Sequence, residues 1–220
     1  MTYTGDVIPG GPSDARELGA ATIRKMSVSA MHNNVYLITC AATGEQLLID
    51  AADDADRCLA LVDEGTGRLD HLVTTHQHWD HVRALVDVAA RTGARTYAGA
   101  DDADALPLSP DVRLRQGDVV AVGELTLDVI HLRGHTPGSV ALSWADPDGI
   151  RHLFTGDALF PSGVGNTKNP GQSFESLYRD VVDRVFSTHD DDTWFYPGHG
   201  GDSTIGAERP GLDSWRERGW

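Results

Sequence analysis

The stretch Thr74-Thr75-His76-Gln77-His78-Trp79-Asp80-His81 decides the interpretation of this chain. It places three imidazoles and one carboxylate within six positions, directly after the strand-like apolar run at 72–74. Side chains alternate with a period of two in an extended segment, so His76 and His78 are expected to point the same way. Asp80 and His81 follow where the chain turns. The spacing H-x-H-x-D-H therefore supplies two pairs of donors and predicts two neighbouring metal ions.

Composition is typical of a globular protein and argues against two kinds of partner. The 220 residues are 40% hydrophobic and 23% charged, which suits one domain spanning 1–220. No uninterrupted apolar run approaches the roughly 18 residues that a membrane helix requires. The net charge is −15, whereas nucleic acids and anionic membranes attract a basic face. We therefore expect a small-molecule substrate and neither a nucleic-acid nor a membrane partner, and this pattern leaves the oligomeric state open.

Three further features concern location, cysteines and acidic clusters. The first twenty residues lack the basic start and apolar block of a signal peptide, which predicts a cytoplasmic protein. Cys40 and Cys58 lie in strand-like and helix-like runs without zinc-finger spacing, so we expect buried thiols rather than a disulfide. The acidic clusters at 53–54, 101–104 and 190–192 lack the pattern of a calcium loop and are interpreted as solvated loop and helix-start acids.

Hydrophobic periodicity predicts alternating strands and helices in both halves of the chain. The first half is expected to have strands at 21–28, 35–39, 46–49 and 72–74 and a helix at 54–64. After the histidine motif, a helical apolar period from Val82 predicts a helix ended by Gly93. The second half adds strands at 125–131, 140–144, 152–155 and 193–196, an irregular loop at 161–171, and a helix from an N-cap at Ser173 to Phe186. Such alternation is typical of α/β or α+β proteins with helix-covered sheets.

Three further donors occupy the same kind of position, a small-residue loop just past a strand. They are His135 in GHTPG, Asp157 in TGD and His199 in PGHG. Active-site groups of α/β folds collect at such strand ends, and flanking glycines let the backbone approach a crowded centre. With the motif, these donors make five histidines and two aspartates, enough for two ions that share a carboxylate. Asp50 also closes a strand and is either an acceptor for a ligand imidazole or a turn cap.

The other five histidines lack such settings and are interpreted as structural. His32 is the weakest case, because Asn33 and Asn34 follow it. The full set is His32, His71, His131, His152 and His189.

Four segments carry a family resemblance: HQHWDH at 76–81, GHTPG at 134–138, FTGDALF at 154–160 and YPGHG at 196–200. In this order they resemble the motifs of metallo-β-lactamase-fold hydrolases, and the chain is most similar to the glyoxalase II branch, the hydroxyacylglutathione hydrolases. The resemblance implies a four-layer αβ/βα sandwich with the site at one edge. It also implies that His76, His78 and His135 hold one ion, that Asp80, His81 and His199 hold the other, and that Asp157 bridges them. Asp80 is then also catalytic, because it orients the attacking water.

The sequence departs from that family in two places. Relatives with a well-defined glutathione site carry a C-terminal helical domain, which this sequence is expected to lack because it resembles shorter bacterial relatives after His199. The family's Gly-Cys-Gly-Arg-type loop is replaced by GVGNTKNPG at 163–171. Asn166, Thr167 and Lys168 in this loop are the candidates for substrate contact, and the alternative is a surface loop merely rich in small residues.

The expected chemistry is hydrolysis by a metal-bridging hydroxide, since two divalent ions lower the pKa of bound water from about 15.7 towards about 7. No motif for a general acid is found, which suits a thiolate leaving group, because a thiol has a pKa of about 8.5. We therefore expect hydrolysis of a thioester of a small thiol. Zinc is the expected metal, with iron or manganese as alternatives.

Other functions remain open at this point. One alternative is a mononuclear iron enzyme like the persulfide dioxygenases, with ligands resembling His76, His135 and Asp157. A lactonase or a phosphodiesterase on the same fold is another. A non-catalytic binding module would be expected to have lost donors, and all seven are present.

Overall fold

Two β-sheets packed face to face form the centre of the structure. The structure is a computed structural model and describes residues 2–220. The first sheet has seven strands in chain order. They are β1 Asp14–Glu17, β2 Ala21–Val28, β3 Asn33–Cys40, β4 Gln46–Ile49, β5 His71–Thr74, β6 Arg95–Gly99 and β7 Val112–Leu114. Pairing is antiparallel from β1 to β4 and parallel from β4 to β7. Parallel neighbours need crossover connections, and helices α1 Ala55–Asp63 and α2 Leu85–Thr92 provide the first two.

The second sheet contains six strands in the order β15-β14-β11-β10-β9-β8. These strands are β8 Val119–Val122, β9 Leu125–His131, β10 Val140–Ala145, β11 Arg151–Gly156, β14 Trp194–Pro197 and β15 Ser203–Thr204. A small hairpin pairs β12 Leu159–Phe160 with β13 Gly163–Val164. The remaining helices are α3 Phe174–Val181, which continues as a π-helical turn over Val182–Phe186, α4 Ile205–Glu208 and α5 Leu212–Arg218.

Three apolar clusters define the layers. The central one joins the facing sides of the two sheets, for example Ile38 and Leu47 with Leu127 and Phe154. A second cluster packs α1 and α2 on the outer face of the first sheet, and a third packs α3 and α5 on the outer face of the second. The expected four-layer αβ/βα sandwich is therefore confirmed.

Most predicted elements are present, with ends that differ by one or two residues. The helix after the histidine motif begins at Leu85 rather than Val82, because Trp79–His81 form a separate 3-10 turn. Ser173 caps α3 by accepting a hydrogen bond from the Ser176 N–H, as predicted. The segment 161–171 is not wholly irregular, because it contains β13.

Two further expectations can be compared with the structure. Both cysteines are free and buried, as expected. No helix in the described part of the chain has the length and apolar character needed to cross a bilayer.

Candidate metal centre

All seven predicted donors lie on loops that follow strands, and the structure brings them together at one edge of the sandwich. The loop after β5 carries His76, His78, Asp80 and His81, and its last residues form the 3-10 turn. The loops after β9, β11 and β14 contribute the other three, His135, Asp157 and His199. Asp50 directly follows β4, so the seven donors and Asp50 come from the ends of five strands. The sheets therefore fix the positions from which the donors project.

The first group of donors consists of His76, His78 and His135, whose ring nitrogens lie within 4.8 Å of one another. His76 and His135 are buried, and their Nε2 atoms have no hydrogen-bond partner among the described residues. A buried polar atom without a partner costs about 1–3 kcal/mol. The opposite ring nitrogens do have partners: His76 Nδ1 lies 3.0 Å from Thr75 Oγ1, and His135 Nδ1 donates to the Asn166 carbonyl at 2.8 Å. The two orphaned Nε2 atoms therefore face a place where a cation fits.

The second group consists of Asp80, His81 and His199, and its donor atoms are also within 4.8 Å of one another. His81 Nε2 lies 3.1 Å from His199 Nε2, and Asp80 Oδ2 lies 3.6 Å and 3.4 Å from these two nitrogens. His81 Nδ1 donates to Asp50 Oδ2 at 2.9 Å. His199 Nδ1 donates to the Met31 carbonyl at 2.8 Å. These outer contacts leave both Nε2 atoms available for a metal ion.

Asp157 lies between the two groups. Its Oδ1 is 3.3 Å from His81 Nε2, while its Oδ2 is 3.4 Å from His199 Nε2 and 3.6 Å from His135 Nε2. The space beside it is tight, because a Cβ on Gly198 would stand 2.1 Å from Asp157 Oδ1. Only glycine allows the loop after β14 to pass so close to this carboxylate. Asp157 therefore lies within 4 Å of donor atoms from both groups.

The charges of the cluster are strongly coupled. Burial lowers the pKa of His76 well below its usual value, and nearby His81 lowers it further. Burial opposes protonation of His81 too, but the carboxylates of Asp157 and Asp50 raise the pKa of His81 well above its usual value. Burial would raise the pKa of Asp157, yet His81 and the hydrogen bond from His199 hold it well below its usual range. The centre thus keeps its carboxylates charged and attracts positive charge, which indicates divalent metal binding.

Asp50 is the acceptor for a ligand imidazole, the first of its two alternatives. It accepts three hydrogen bonds, from the Thr75 N–H and O–H at 2.7 Å each and from His81 Nδ1. These contacts place Asp50 on the Nδ1 side of His81, opposite the Nε2 atom that faces Asp157, although its carboxylate also lies close to His76.

Two buried residues at the site were missed by sequence reasoning. The carboxamide of Asn33 lies 3.0 Å from Asp80 Oδ2, and the only hint in the sequence was the pair Asn33-Asn34. The interpretation of Asp102 as a solvated acid is wrong, because its side chain is fully buried. It accepts from the Gln77 N–H at 2.9 Å, the Thr136 O–H at 2.6 Å and the Gly138 N–H at 2.6 Å. The acidic cluster gave no signal for this role, because the contacts join distant loops.

The candidate substrate residues lie beside the first group, since the Asn166 carbonyl is the partner of His135. Asn166 and Lys168 are exposed and Thr167 is half-buried. Their contact with a substrate stays a prediction.

Four of the five other histidines bond to groups outside the cluster. These partners are Tyr97 for His71, Pro137 for His131, Tyr196 for His152 and Ser143 for His189. His32 is exposed and is not among the grouped donors.

Comparison with known proteins identifies relatives of this arrangement. The family model of the metallo-beta-lactamase superfamily matches residues 28–199. A hydroxyacylglutathione hydrolase from Fuscovulum blasticum is 40% identical over 147 residues, which cover 66% of this chain and 56% of that protein. The chain thus spans about half the length of the curated hydrolases it matches first.

Solved structures give a similar result over more of the chain. ETHE1 from Myxococcus xanthus has a TM-score of 0.78 at 30% identity, with 89% of this chain and 84% of that one covered. The protein TTHA1623, solved in a di-iron-bound form, has a TM-score of 0.71 at 30% identity, with 84% and 96% covered.

Proposed function

The chain belongs to the metallo-β-lactamase superfamily, and from that premise we propose that it is a binuclear metal-dependent hydrolase of thioesters of a small thiol. The observation that carries the proposal is the convergence of two three-donor groups with Asp157 between them. The similarity to hydroxyacylglutathione hydrolases supports the substrate class. The similarity to a protein solved with two irons supports two ions.

Each part of the cluster has a distinct task in this proposal. His76, His78 and His135 would hold one ion, Asp80, His81 and His199 the other, and Asp157 both. Two divalent ions held there would lower the pKa of bound water, so that hydroxide is available at neutral pH, and would polarise a carbonyl oxygen. Asp80 would also orient the attacking water, because its carboxylate faces the interior of the cluster while Asn33 restrains one oxygen.

Among the described residues, no free general acid lies beside the donors, which favours a good leaving group. Asp50 and Asp102 are the buried carboxylates next to the donors, and each already accepts three hydrogen bonds. A thiolate needs little protonation as it leaves, because a thiol has a pKa of about 8.5, whereas an amine or alkoxide needs a proton. Thioesters therefore suit this inventory of groups better than amides.

The loop at 163–171 supports a small anionic thiol as the leaving group. Lys168 is exposed and forms no ion pair with the described residues, in a chain whose net charge is −15. Asn166 lies two residues away and fixes the loop to the first group through its carbonyl. We propose that Lys168 attracts a carboxylate of the thiol, and that Asn166 and Thr167 supply polar contacts.

A direct test uses the chain after metal removal and reloading with zinc, iron or manganese in separate samples. Thiol release from S-lactoylglutathione and other acyl thioesters should appear in parallel with about two ions per chain. Oxygen esters, amides and lactones of matched acyl groups serve as controls and should react more slowly. Metal-loaded protein that leaves every thioester intact would exclude the proposal, and faster turnover of lactones would favour a lactonase.

A second candidate is a mononuclear iron enzyme like the persulfide dioxygenases. The placement of Asp157 Oδ2 at 3.9 Å and 3.6 Å from the Nε2 atoms of His76 and His135 favours this candidate. Two histidines and one carboxylate are the ligand set of many non-haem iron oxygenases. One iron per chain with persulfide-dependent oxygen uptake would support this candidate, whereas two ions without oxygen uptake would support hydrolysis.

A further inference from the structure

The turn between β2 and β3 reaches into the second donor group. The Met31 carbonyl accepts the hydrogen bond from His199 Nδ1 at 2.8 Å. Asn33, at the start of β3, is fully buried and directs its carboxamide nitrogen at the donors. This nitrogen lies 3.0 Å from Asp80 Oδ2 and 3.5 Å from the Nε2 atoms of both His81 and His199. One side chain outside the seven donors thus borders all three members of the second group.

A relay of hydrogen bonds fixes the orientation of the Asn33 amide. Ser29 Oγ accepts from the Met31 N–H at 3.0 Å, so its own proton is free to be donated. The Ser29 hydroxyl donates this proton to Asn33 Oδ1, which lies 2.6 Å from Ser29 Oγ. The amide oxygen is therefore occupied by Ser29, and the NH2 group must face Asp80. This arrangement matches the electrostatics, because an N–H donor next to a carboxylate is favourable and a second oxygen would be repelled.

The contact with Asp80 is compatible with metal binding. A carboxylate oxygen has two lone pairs, so Asp80 Oδ2 can accept from Asn33 and still serve as a ligand. Hydrogen bonds of this kind orient ligands and hold the charge that a cation requires. Asn33 also shields one side of the group, since its nitrogen is close to three donor atoms at once.

The first donor group has no such link to this turn. Its outer partners are Thr75 for His76 and the Asn166 carbonyl for His135. The turn at 29–33 contacts Asp80 and His199 instead. A change confined to Asn33 therefore perturbs the two groups unequally.

We propose that Asn33 is a positioning residue that sets the affinity of the second group for its metal ion, and so decides whether the centre holds one ion or two. This inference rests on the binuclear centre proposed above. Asn33 orients Asp80 and closes one side of the second group, while the first group assembles without it. Loss of the amide converts a two-ion centre into a one-ion centre at limiting metal.

The test is a zinc titration of chelator-treated protein in competition with a chelator of known affinity. His78→Ala and His199→Ala assign the two binding events, because each removes a donor from one group only. Asn33→Ala should weaken the second event by about 10–100-fold, the usual effect of losing an outer partner of a ligand. The first event should change by less than about threefold. Asn169→Ala, which removes an exposed carboxamide, is the matched control and should leave both events unchanged.

Four results would overturn the inference or the function on which it rests. Equal weakening of both events by Asn33→Ala would show a general structural role, and unchanged binding would show no role. If Asn33→Ala does not fold, Ser29→Ala, which releases the amide oxygen, must weaken the second event selectively or the inference fails. Wild-type protein that takes up only one zinc ion would refute the binuclear proposal as well. This result differs from those that refute only the inference about Asn33.

Discussion

Replacing Asp102 by alanine should destabilise the protein and loosen the first donor group. The Asp102 carboxylate joins two loops: it accepts from the N–H of Gln77, between His76 and His78, and from the Gly138 N–H and Thr136 O–H beside His135. Burial raises the pKa of Asp102, and hydrogen bonds from Thr136, Gly138 and Gln77 oppose this. Asp102 thus joins these two loops through backbone and side-chain hydrogen bonds to a single carboxylate.

The magnitude follows from the donors left behind. In Asp102→Ala the Thr136 hydroxyl can turn to Ser139 Oγ, which is already 2.6 Å away. The N–H groups of Gln77 and Gly138 have no such substitute. A buried donor without a partner costs about 1–3 kcal/mol. The Gly138 bond is buried and the Gln77 bond only partly so, so we expect a loss of about 1–4 kcal/mol in the free energy of unfolding. Asp102→Asn retains one acceptor oxygen and should lose less.

Urea denaturation of chelator-treated protein measures this loss without any contribution from bound metal. Asp101→Ala is the matched control, because Asp101 is the exposed neighbour, and it should change stability by less than about 0.5 kcal/mol. A zinc titration should then show about 10–100-fold weaker binding by the first group, the reverse of the pattern expected for Asn33→Ala. If Asp102→Ala unfolds at the same urea concentration as Asp101→Ala, the reasoning is refuted.

Three more changes test other parts of the centre. Asp157→Ala should lower both zinc affinities and the rate of thioester hydrolysis together. A variant that still hydrolyses thioesters while metal analysis finds neither ion would contradict the shared-ligand role. In metal-free protein, burial lowers the pKa of His199 but hydrogen bonds to Asp157 and Asp80 raise it to about 9. This lies above the unfolded value of about 6.5, so the stabilisation from His199 is complete below about pH 6.5 and is lost as the pH rises through about 9. The free energy of unfolding measured in urea should fall over that interval while zinc affinity rises. A free energy of unfolding that does not change with pH would contradict this. Lys168→Ala should raise KM for thioesters of anionic thiols and leave kcat and neutral thioesters unchanged; an equal effect on both substrates would remove Lys168 from substrate contact.

The donors were predictable because local rules place them. A period of two aligns His76 with His78, and a loop after a strand brings His135, Asp157 and His199 to one edge of the sandwich. Asp50 was found for the same reason, since it directly follows β4. Sequence spacing and strand ends therefore sufficed for the residues that project from the sheets.

The supporting residues could not be found in this way, because their roles depend on contacts between distant segments. Asp102 is recognisable only when the loops of Gln77 and Gly138 meet around it. Asn33 acquires its role from Asp80, 47 positions away. In the sequence, both look like ordinary polar loop residues. Seven strands were also missed. The edge strands β1, β7, β8 and β15, the hairpin strands β12 and β13 and the inner strand β6 have only two to five residues each, and such short segments carry little periodicity.

The two donor groups share the contact between Thr75 and Asp50 but otherwise depend on different segments of the chain. The first group is tied through His135 to the carbonyl of Asn166, in the loop that replaces the family's usual sequence. The second group is tied to the turn at 29–33 and to Asp50, both within the first sheet and its connections. Under the proposed function, changes in the loop at 163–171 should therefore alter what is bound while leaving the second group intact. Changes at Asn33 should instead alter how many ions the centre holds, and with them the choice between hydrolysis and single-iron chemistry.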